Sequence, residues 1–394
     1  MKSALSNSYN ILTKENRLTI GYFGGSITCG GSAKHIIENG QKVPDKQGSI
    51  TNSYVNRTSA WIGSLFPNAK IETVNAGVSG THTQLGLYRL EGTLMNNNGH
   101  NIPDLVFIEF TSNDWIYGEH TAEIIKAELE SLILNIRKIN PFTDIVIIAT
   151  STLDLQNSDK KQAHKDIADS YGLPFIDVGI ALQRKKNTDP ESAPTESAEK
   201  CTLKYTADNL HPSALGYAVY MEEIKNVLAS HLDGNNCKEG LINHLQTAPA
   251  PVSPELYTPR LISISDMMLP PNAEIAETPL NIPLRGTSLD ETYNYPVAAN
   301  RVILKQNEVI TADFHGGILG ILVEMQRKID LELRFSIDGG EWKEFNINDS
   351  CLSFERYPHT QAYFLKAGLS DDKHTVALKS VSETPFFLGA FLAQ

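Results

Sequence analysis

Short apolar runs alternate with stretches of helical spacing over the first 250 residues of the chain. The runs are rich in β-branched residues and most are continuously apolar, which is typical of parallel strands covered on both faces. The five predicted strands are Leu18–Phe23, Ile71–Asn75, Leu105–Phe110, Ile145–Thr150 and Phe175–Val178. Helices are predicted between and after them at 53–66, 83–95, 120–139, 157–171 and 213–232. This order predicts an α/β domain with a doubly wound, parallel five-stranded sheet, whose ligands bind beyond the carboxyl ends of the strands.

The pattern changes after residue 245. The segment Gln246–Pro254 contains three prolines in nine residues, and it predicts a stiff linker over 246–259. Short strands and turns follow, such as Leu331–Ile337 with its period of two and the hairpin turn 338–340. We therefore predict three parts, which are an α/β domain at 1–245, the linker, and a β-sandwich or jelly-roll accessory domain at 260–394.

Composition narrows the classes of partner. The chain has 394 residues, of which 41% are apolar and 20% charged, and this fits a soluble globular protein with two or three domains. Its net charge of −12 argues against nucleic acid and against an anionic membrane as partners. No apolar window is long enough to span a membrane, and Met1–Arg17 has no signal-like apolar core. We expect a cytoplasmic protein, or a secreted one if a leader has been removed.

The cysteines predict neither a disulfide framework nor a zinc site. They are widely spaced, without a CxxC pair or an adjacent histidine cluster, so reduced thiols are expected. The four are Cys29, Cys201, Cys237 and Cys351.

The first predicted strand leads directly into the glycine-rich stretch GYFGGSITCGGS, residues 21–32. Such a stretch either cradles a phosphate or holds the hydroxyl of Ser26 exposed. A P-loop needs lysine where Gly31 stands, and the dinucleotide fingerprint G-x-G-x-x-G is absent. The G-x-S-x-G elbow is also absent, because Thr28 occupies its last position. The exposed serine is therefore the favoured interpretation, and it requires a base elsewhere in the chain.

A candidate base stands in the stretch DNLHP, residues 208–212. The Asp208 carboxylate can accept from one nitrogen of the His211 ring, which leaves the other nitrogen free to take a proton. Pro212 disfavours a helical conformation at His211 and can begin the next helix, so the imidazole is expected on a loop above the sheet. Taken alone, the same residues fit a helix cap beside a surface histidine.

Acyl transfer also needs hydrogen-bond donors for the developing oxyanion. Two loops follow predicted strands at suitable places, at 75–81 and at 111–114. A glycine of the first loop can present its backbone N–H, and Asn113 in the second can present its side-chain amide. Each loop alone is also compatible with an ordinary turn.

The four features together resemble the SGNH (GDSL-type) hydrolases over roughly residues 18–232, including the stretch NAGVSGTHTQLGLYRL at 75–90. The resemblance implies a flavodoxin-like sheet and a serine esterase that needs no cofactor and no metal. It implies Ser26 as nucleophile, His211 as general base and then acid, and Asp208 as the group that orients the imidazole. The oxyanion hole would consist of the backbone N–H of Ser26 with Gly80 and Asn113.

The chain departs from the family at Gly25, where aspartate usually precedes the serine. Thr28 and Asp114 are both candidates to replace the support of that carboxylate. Glu109 lies inside an apolar strand and must have a partner, since a buried unpaired carboxylate is costly. Arg89 and the loop amides near Ser26 are the candidate partners, and we expect Glu109 to brace the loops rather than to act in catalysis.

Three further features have weaker support. Trp115 and Tyr117 follow the amide-bearing loop and either line an acyl or sugar pocket or simply pack. The polar segment Arg184–Cys201 precedes the DNLHP stretch, and we expect a mobile insertion that acts as a lid.

The sequence thus predicts a serine esterase that hydrolyses short-chain esters, acetyl above all, on a carbohydrate through an acyl-serine intermediate. Its partners would be small-molecule or oligosaccharide esters. Two alternatives stay open at this point, namely an acyl-thioester or lysophospholipid hydrolase that uses the same residues, and a catalytically inactive carbohydrate-binding protein. Transfer of the acyl group to an acceptor other than water shares the same first half-reaction.

Overall fold

The computed structural model describes residues 3–38, 41–44, 48–96, 101–116, 121–151, 158–189, 204–206, 208–253, 256, 258–285, 292–325, 330–348 and 359–393. The chain forms two compact units, Met1–Leu256 with Leu284–Tyr293, and Tyr257–Pro283 with Asn294–Gln394. Within the first unit, the Glu130 carboxylate accepts hydrogen bonds from the backbone N–H groups of Val252 and Ser253 at 2.8 and 2.7 Å. The end of the proline-rich segment is therefore fixed against the helix that carries Glu130.

The first unit alternates strands and helices. Its strands are β1 (Arg17–Gly24), β2 (His35–Glu38), β3 (Gln41–Pro44), β4 (Lys70–Gly77), β5 (Leu105–Glu109), β6 (Asp144–Ala149) and β7 (Phe175–Asp177). Its helices are α1 (Ser6–Lys14), α2 (Ser26–Cys29), α3 (Tyr54–Leu65), α4 (Thr83–Thr93), α5 (Thr111–Ile116), α6 (Ala122–Ile139), α7 (Asp159–Ser170), α8 (Val178–Thr188) and α9 (Ala214–Leu228). None of the helices in the described ranges is long and apolar enough to cross a membrane.

Five strands form a parallel sheet in the order β4-β1-β5-β6-β7, which confirms the predicted fold. Counted along the chain, this order is 2-1-3-4-5, the flavodoxin-like arrangement with its switch point beside the first strand. Gly24 pairs with Gly77 on one side and with Glu109 on the other. The loops that follow β1, β4 and β5 therefore leave the sheet side by side.

The sheet is covered on both faces, as its apolar strands predict. Leu18, Ile20, Tyr22 and Phe107 are fully buried and join one core with residues of α1, α3 and α9. Val106 and Ile108 alternate with Phe107 along β5, so they lie on the other face, and they are fully buried too. The strand boundaries shift by one or two residues from the predicted ones, and at the fifth strand Val178 begins α8 instead of ending the strand. The preceding Asp177 side chain accepts the N–H of Ile180 at 2.9 Å and so caps the new helix.

The second unit is antiparallel. Its strands are β8 (Arg260–Ser263), β9 (Met267–Met268), β10 (Glu274–Ala276), β11 (Leu280–Arg285), β12 (Thr292–Ala298), β13 (Arg301–Leu304), β14 (Val309–His315), β15 (Leu319–Met325), β16 (Asp330–Ile337), β17 (Lys343–Asn348), β18 (His359–Lys366), β19 (Lys373–Ser380) and β20 (Phe386–Ala393), of which β11 and β12 begin or end in the first unit. One sheet has the order β10-β13-β20-β15-β18, with β8 beside β20, and a second has the order β17-β16-β19-β14-β9.

The two sheets share one apolar core, which makes this unit a β-sandwich. Ile321 and Phe391 contribute from the first sheet, and Leu333 and Val376 contribute from the second, each fully buried. The hairpin predicted after Ile337 is present between β16 and β17. Its turn residues Asp338 and Gly339 have φ of 53° and 69°, a conformation typical of tight hairpin turns.

Candidate active site

Ser26 stands at the first position of α2, immediately after β1 ends at Gly24. Both glycines before it allow a close approach that no side chain would permit. A β-carbon on Gly24 would lie 2.3 Å from Thr28 Oγ1, and one on Gly25 would lie 2.3 Å from Asn113 Nδ2. The glycine-rich stretch therefore folds as a tight strand-to-helix turn with its serine at the carboxyl edge of the sheet.

A chain of two hydrogen bonds joins Ser26 to Asp208 through His211. Ser26 Oγ lies 2.6 Å from His211 Nε2, and His211 Nδ1 lies 2.7 Å from Asp208 Oδ2. The carboxylate can only accept, so the proton is on Nδ1 and Nε2 accepts from the serine hydroxyl. The imidazole is 24% exposed and the carboxylate 44% exposed, which places both within reach of solvent and substrate.

The Asp208 carboxylate is stabilised in its ionised form. Burial raises its pKa, but hydrogen bonds from the His211 ring and from the N–H groups of His211 and Leu210 outweigh that effect, and the pKa lies below its ordinary value. Asp208 is therefore a carboxylate at neutral pH and fixes the tautomer of the imidazole.

The loop that carries His211 has the shape that its sequence predicts. Asn209 adopts φ of 70°, a left-handed conformation that asparagine tolerates. Pro212 pairs with Thr206 in an isolated bridge, and Ser213 caps α9 by accepting the N–H of Gly216 at 3.2 Å. The imidazole consequently lies on a loop just before a helix, as expected.

The loop after β4 and the start of α5 meet beside Gly25. Gly80 has φ of 76°, which glycine adopts without strain, and the N–H of Val78 donates to the carbonyl oxygen of Gly24 at 2.9 Å. Asn113 Nδ2 donates to the carbonyl oxygen of Thr81 at 2.6 Å. The loop that holds Gly80 and the amide of Asn113 are thus fixed to each other and to the end of β1.

Glu109 supports the turn around Ser26 from beneath. Its Oε2 accepts from the N–H of Gly25 at 3.3 Å and from Thr28 Oγ1 at 2.9 Å, and its Oε1 accepts from Thr150 Oγ1 at 2.7 Å. Burial raises the pKa of this fully buried carboxyl, against the opposing effect of the same hydrogen bonds. The sequence left Arg89 and the loop amides open as partners of Glu109, and the structure shows the loop amide of Gly25. Thr28, a candidate support of the serine turn, binds the same carboxylate.

Arg89, the other candidate partner of Glu109, binds elsewhere. Its guanidinium donates to the carbonyl oxygens of Ala76 and Gly24 at 2.7 and 3.0 Å, and it lies 4.1 Å from the ring centroid of Phe23. Complete burial lowers its pKa to about 9. Arg89 therefore links the carboxyl ends of β1 and β4, just below the candidate site.

Asp114 does not replace the missing aspartate of the serine turn. Its carboxylate accepts from the N–H and Oγ1 of Thr83 at 2.8 and 2.6 Å, and from His164 Nε2 at 2.7 Å. Burial raises its pKa, but the bonds from His164 and Thr83 prevail and lower it. This buried group joins α4, α5 and α7. The sequence reasoning missed His164, although a histidine among the buried positions of a predicted helix signals such a partner.

The other residues predicted for the site lie wholly or partly outside the described part of the chain. Trp115 falls within α5, but its side chain lies outside the described part of the chain, as does Tyr117. Of the predicted insertion, Arg184–Thr188 forms the end of α8, and 190–201 lies outside the described residues. Among the described residues, no group of three or more His, Cys, Asp or Glu side chains could hold a metal ion.

A parallel sheet of this order, with a serine, a histidine and an aspartate hydrogen-bonded in series at its carboxyl edge, defines the SGNH class of ester hydrolase. The model of the GDSL-like lipase/acylhydrolase family matches residues 22–219, which is half of the chain. The protein belongs to this family. No curated protein matches the chain.

Solved structures of similar architecture extend the likeness over both units. A two-domain esterase (CEX) active on acetylated mannans is 18% identical with a TM-score of 0.70, covering 100% of this chain and 97% of that chain. The same esterase co-crystallised with mannopentaose is 19% identical with a TM-score of 0.70, covering 100% of this chain and 95% of that chain. At this identity the likeness shows the fold of both units.

Proposed function

We propose that the protein is a serine esterase that removes acetyl groups from a carbohydrate. The observation that carries this proposal is the hydrogen-bond chain from Ser26 Oγ through His211 to Asp208, with separations of 2.6 and 2.7 Å. A serine hydroxyl is a weak nucleophile until a base takes its proton, and here an oriented imidazole already accepts a hydrogen bond from that hydroxyl.

The reaction proceeds in two halves. His211 Nε2 takes the Ser26 proton as Oγ attacks the ester carbonyl carbon, and the Asp208 carboxylate stabilises the imidazolium that forms. The imidazolium gives its proton to the departing alcohol oxygen, which leaves an acyl-serine. Water then attacks the acyl carbon while His211 takes its proton, and that proton returns to Ser26 Oγ as the acid is released.

Three donors are proposed for the oxyanion. The N–H of Ser26 lies in the first turn of α2 and has no partner within that helix. Asn113 uses one of its two amide hydrogens on Thr81, which leaves the second for substrate. The N–H of Gly80 is the third donor. In sites of this kind the loss of one donor costs about 2.7–4 kcal/mol in the transition state.

Two observations support the proposed substrate class, the presence of the second unit and the similarity in architecture to a solved esterase. The chain carries a β-sandwich in addition to its hydrolase unit, and the esterase of similar architecture is described as active on acetylated mannans. These two points support a short acyl group on a carbohydrate hydroxyl as the substrate. They favour an acetylated oligosaccharide over a long-chain lipid ester.

Substrate profiling tests the proposal. We expect p-nitrophenyl acetate to turn over faster than the butyrate and the decanoate, and we expect acetate release from acetylated manno-oligosaccharides. Faster turnover of the decanoate or of an acyl-thioester would contradict a carbohydrate esterase and favour a lipid or thioester hydrolase.

A substitution of the nucleophile tests the mechanism. Ser26→Ala should lose several orders of magnitude in kcat and all labelling by a fluorophosphonate. Ser64→Ala, at an exposed serine of α3, is the matched control.

A further inference from the structure

The loop that carries His211 is built onto the first turn of α9. The N–H of Ser213 donates to the carbonyl oxygen of Tyr205 at 3.0 Å, across the loop from His211. Gly216 packs so closely on this loop that a β-carbon there would lie 2.1 Å from the Tyr205 carbonyl oxygen. The position of the imidazole therefore follows the position of α9.

Tyr217, one residue further along α9, reaches across to α2. Its hydroxyl donates to the carbonyl oxygen of Ile27 at 2.7 Å, and Ile27 is the residue after Ser26. Because that single hydrogen is used on Ile27, the contact of 3.3 Å between the Tyr217 hydroxyl and Ser32 Oγ has the serine as donor. The phenol is thus held from both sides and directly joins the helix after His211 to the helix that begins at Ser26.

The ring of Tyr217 makes a second connection to α2. It stacks on Tyr54 with centroids 6.3 Å apart and planes at 26°, and the Tyr54 hydroxyl lies 2.9 Å from Thr28 Oγ1. Both tyrosine rings are fully buried. The hydroxyl bond to Ile27 therefore lies in a closely packed setting, where the distance between α9 and α2 has little freedom.

We infer that Tyr217 is a positioning residue for acyl transfer, whose hydroxyl sets the distance between His211 Nε2 and Ser26 Oγ. The inference rests on the roles proposed above for these two residues. Ser26 and His211 are 185 residues apart in the chain, and the Tyr217–Ile27 bond spans 190 residues. Both bonds connect the same two parts of the chain, α2 and the region of the His211 loop and α9. Proton transfer depends steeply on such alignment, and a misplacement of about 1 Å can cost about 10²-fold in rate.

A pair of matched tyrosine substitutions tests this role. Tyr217→Phe removes the hydroxyl and keeps the ring. Tyr220→Phe makes the same change at an equally buried position of the same helix, where the hydroxyl has no hydrogen-bond partner among the described residues. We expect Tyr217→Phe to lower kcat on p-nitrophenyl acetate by about tenfold with KM within about twofold, and to slow fluorophosphonate labelling by a similar factor. Tyr220→Phe should keep both rates within about twofold.

A stability control separates positioning from general loosening. Ser8→Ala removes a buried hydroxyl bond to Asp144, of 2.8 Å, at the opposite edge of the sheet, and it should lower Tm without changing kcat. If Tyr217→Phe keeps the wild-type kcat, or if Ser8→Ala lowers kcat by the same factor for the same loss in Tm, the inference is overturned and the esterase proposal stands. If the wild-type protein neither hydrolyses the acetate nor takes the fluorophosphonate, both are overturned.

Discussion

The side-chain amide of Asn113 lies against the α-carbon of Gly25, where an added β-carbon would stand only 2.3 Å from Asn113 Nδ2. Gly25 is also the position at which this chain departs from the aspartate usual in its family. The space for that side chain is occupied here, and a carboxylate comes instead from Glu109 on the neighbouring strand, which accepts the N–H of Gly25. The glycine before Ser26 is therefore required by its neighbours.

Gly25→Asp should inactivate the enzyme, although it restores the residue that the family usually carries. The new side chain displaces the Asn113 amide and brings a second carboxylate near Glu109. Loss of one oxyanion donor lowers kcat by about 10²–10³-fold, and we expect at least that loss, measured on p-nitrophenyl acetate.

Gly63→Ala is the control for this substitution. A β-carbon at Gly63, within α3, meets only Ile71 at 3.4 Å, an ordinary contact, and alanine favours the helix by up to about 1 kcal/mol. It should keep full activity. An active Gly25→Asp protein would show that Asn113 moves freely and is not needed where it lies.

Removal of the Glu109 side chain should destabilise the first unit. Glu109→Ala removes the carboxylate acceptor of the Thr28 and Thr150 hydroxyls, whereas the N–H of Gly25 keeps its bond of 3.2 Å to the backbone carbonyl oxygen of residue 109. Each buried donor left unsatisfied costs about 1–3 kcal/mol, so the free energy of unfolding should fall by at least about 2 kcal/mol in urea denaturation. A loss below about 0.5 kcal/mol would mean that the turn does not depend on this brace.

The pH dependence of stability separates the charge of Glu109 from its shape. Because burial raises the pKa of Glu109 above 4.5, its contribution is fully present below that pH and is lost as pH rises through the raised value. Glu109→Gln does not titrate. Its free energy of unfolding should therefore lose less between about pH 4 and pH 8 than that of the wild type. Equal slopes for the two proteins would contradict a raised pKa at this carboxyl.

The buried Asp114 should contribute far more to the free energy of unfolding than a carboxylate on the surface. Asp114→Ala leaves His164 and both donors of Thr83 unpaired, and breaking a buried pair of this kind costs about 3–5 kcal/mol. Asp169→Ala removes an exposed partner of Lys165 on the same helix as His164, and it should change stability by about 1 kcal/mol or less. Denaturant unfolding of both variants checks this ratio, and comparable losses would contradict it.

Much of the candidate site follows from strand order. The carboxyl ends of parallel strands share one edge of the sheet. The glycine-rich stretch follows β1 and Asn113 follows β5, so the apolar runs that predict these two strands already indicate that the two segments lie close together. The spacing of Asp208 and His211 then indicates His211 as the base for Ser26. The brace could not be predicted in the same way, because the choice of Gly25 rather than Arg89 as the partner of Glu109 depends on side-chain packing.

The sequence pattern misses α1 for a different reason. Its buried face is largely polar, and hydrophobic periodicity cannot detect such a face. Asn7 Nδ2 donates to the carbonyl oxygens of Phe142 and Ile242 at 2.9 and 2.8 Å, and Ser8 binds Asp144. These partners lie more than 130 residues away in the chain, and they turn a polar N-terminal segment into part of the interior.

The ring of His374 in the second unit ties the hairpin turn to β19. His374 Nδ1 lies 2.7 Å from Asp338 Oδ2, and Nε2 lies 3.0 Å from the carbonyl oxygen of Ser370. Both acceptors lack a hydrogen, so a protonated ring donates from both nitrogens, and Nε2 also lies 3.3 Å from Ser370 Oγ. The bond to Asp338, helped by that to Ser370, raises the pKa of His374 above 6.5.

Stability of the second unit should therefore decline as pH rises above 6.5. A raised histidine pKa contributes stability that is fully present below 6.5 and lost as pH rises through the raised value, so Tm should fall between about pH 6 and about pH 9. Asp338→Asn removes the charge, and asparagine tolerates the φ of 53° at this turn, so calorimetry should show a weaker dependence on pH. Ser370→Ala keeps the accepting carbonyl and should retain the wild-type slope. A slope that Asp338→Asn leaves unchanged, or that Ser370→Ala abolishes, would mean that a different partner holds the proton of His374.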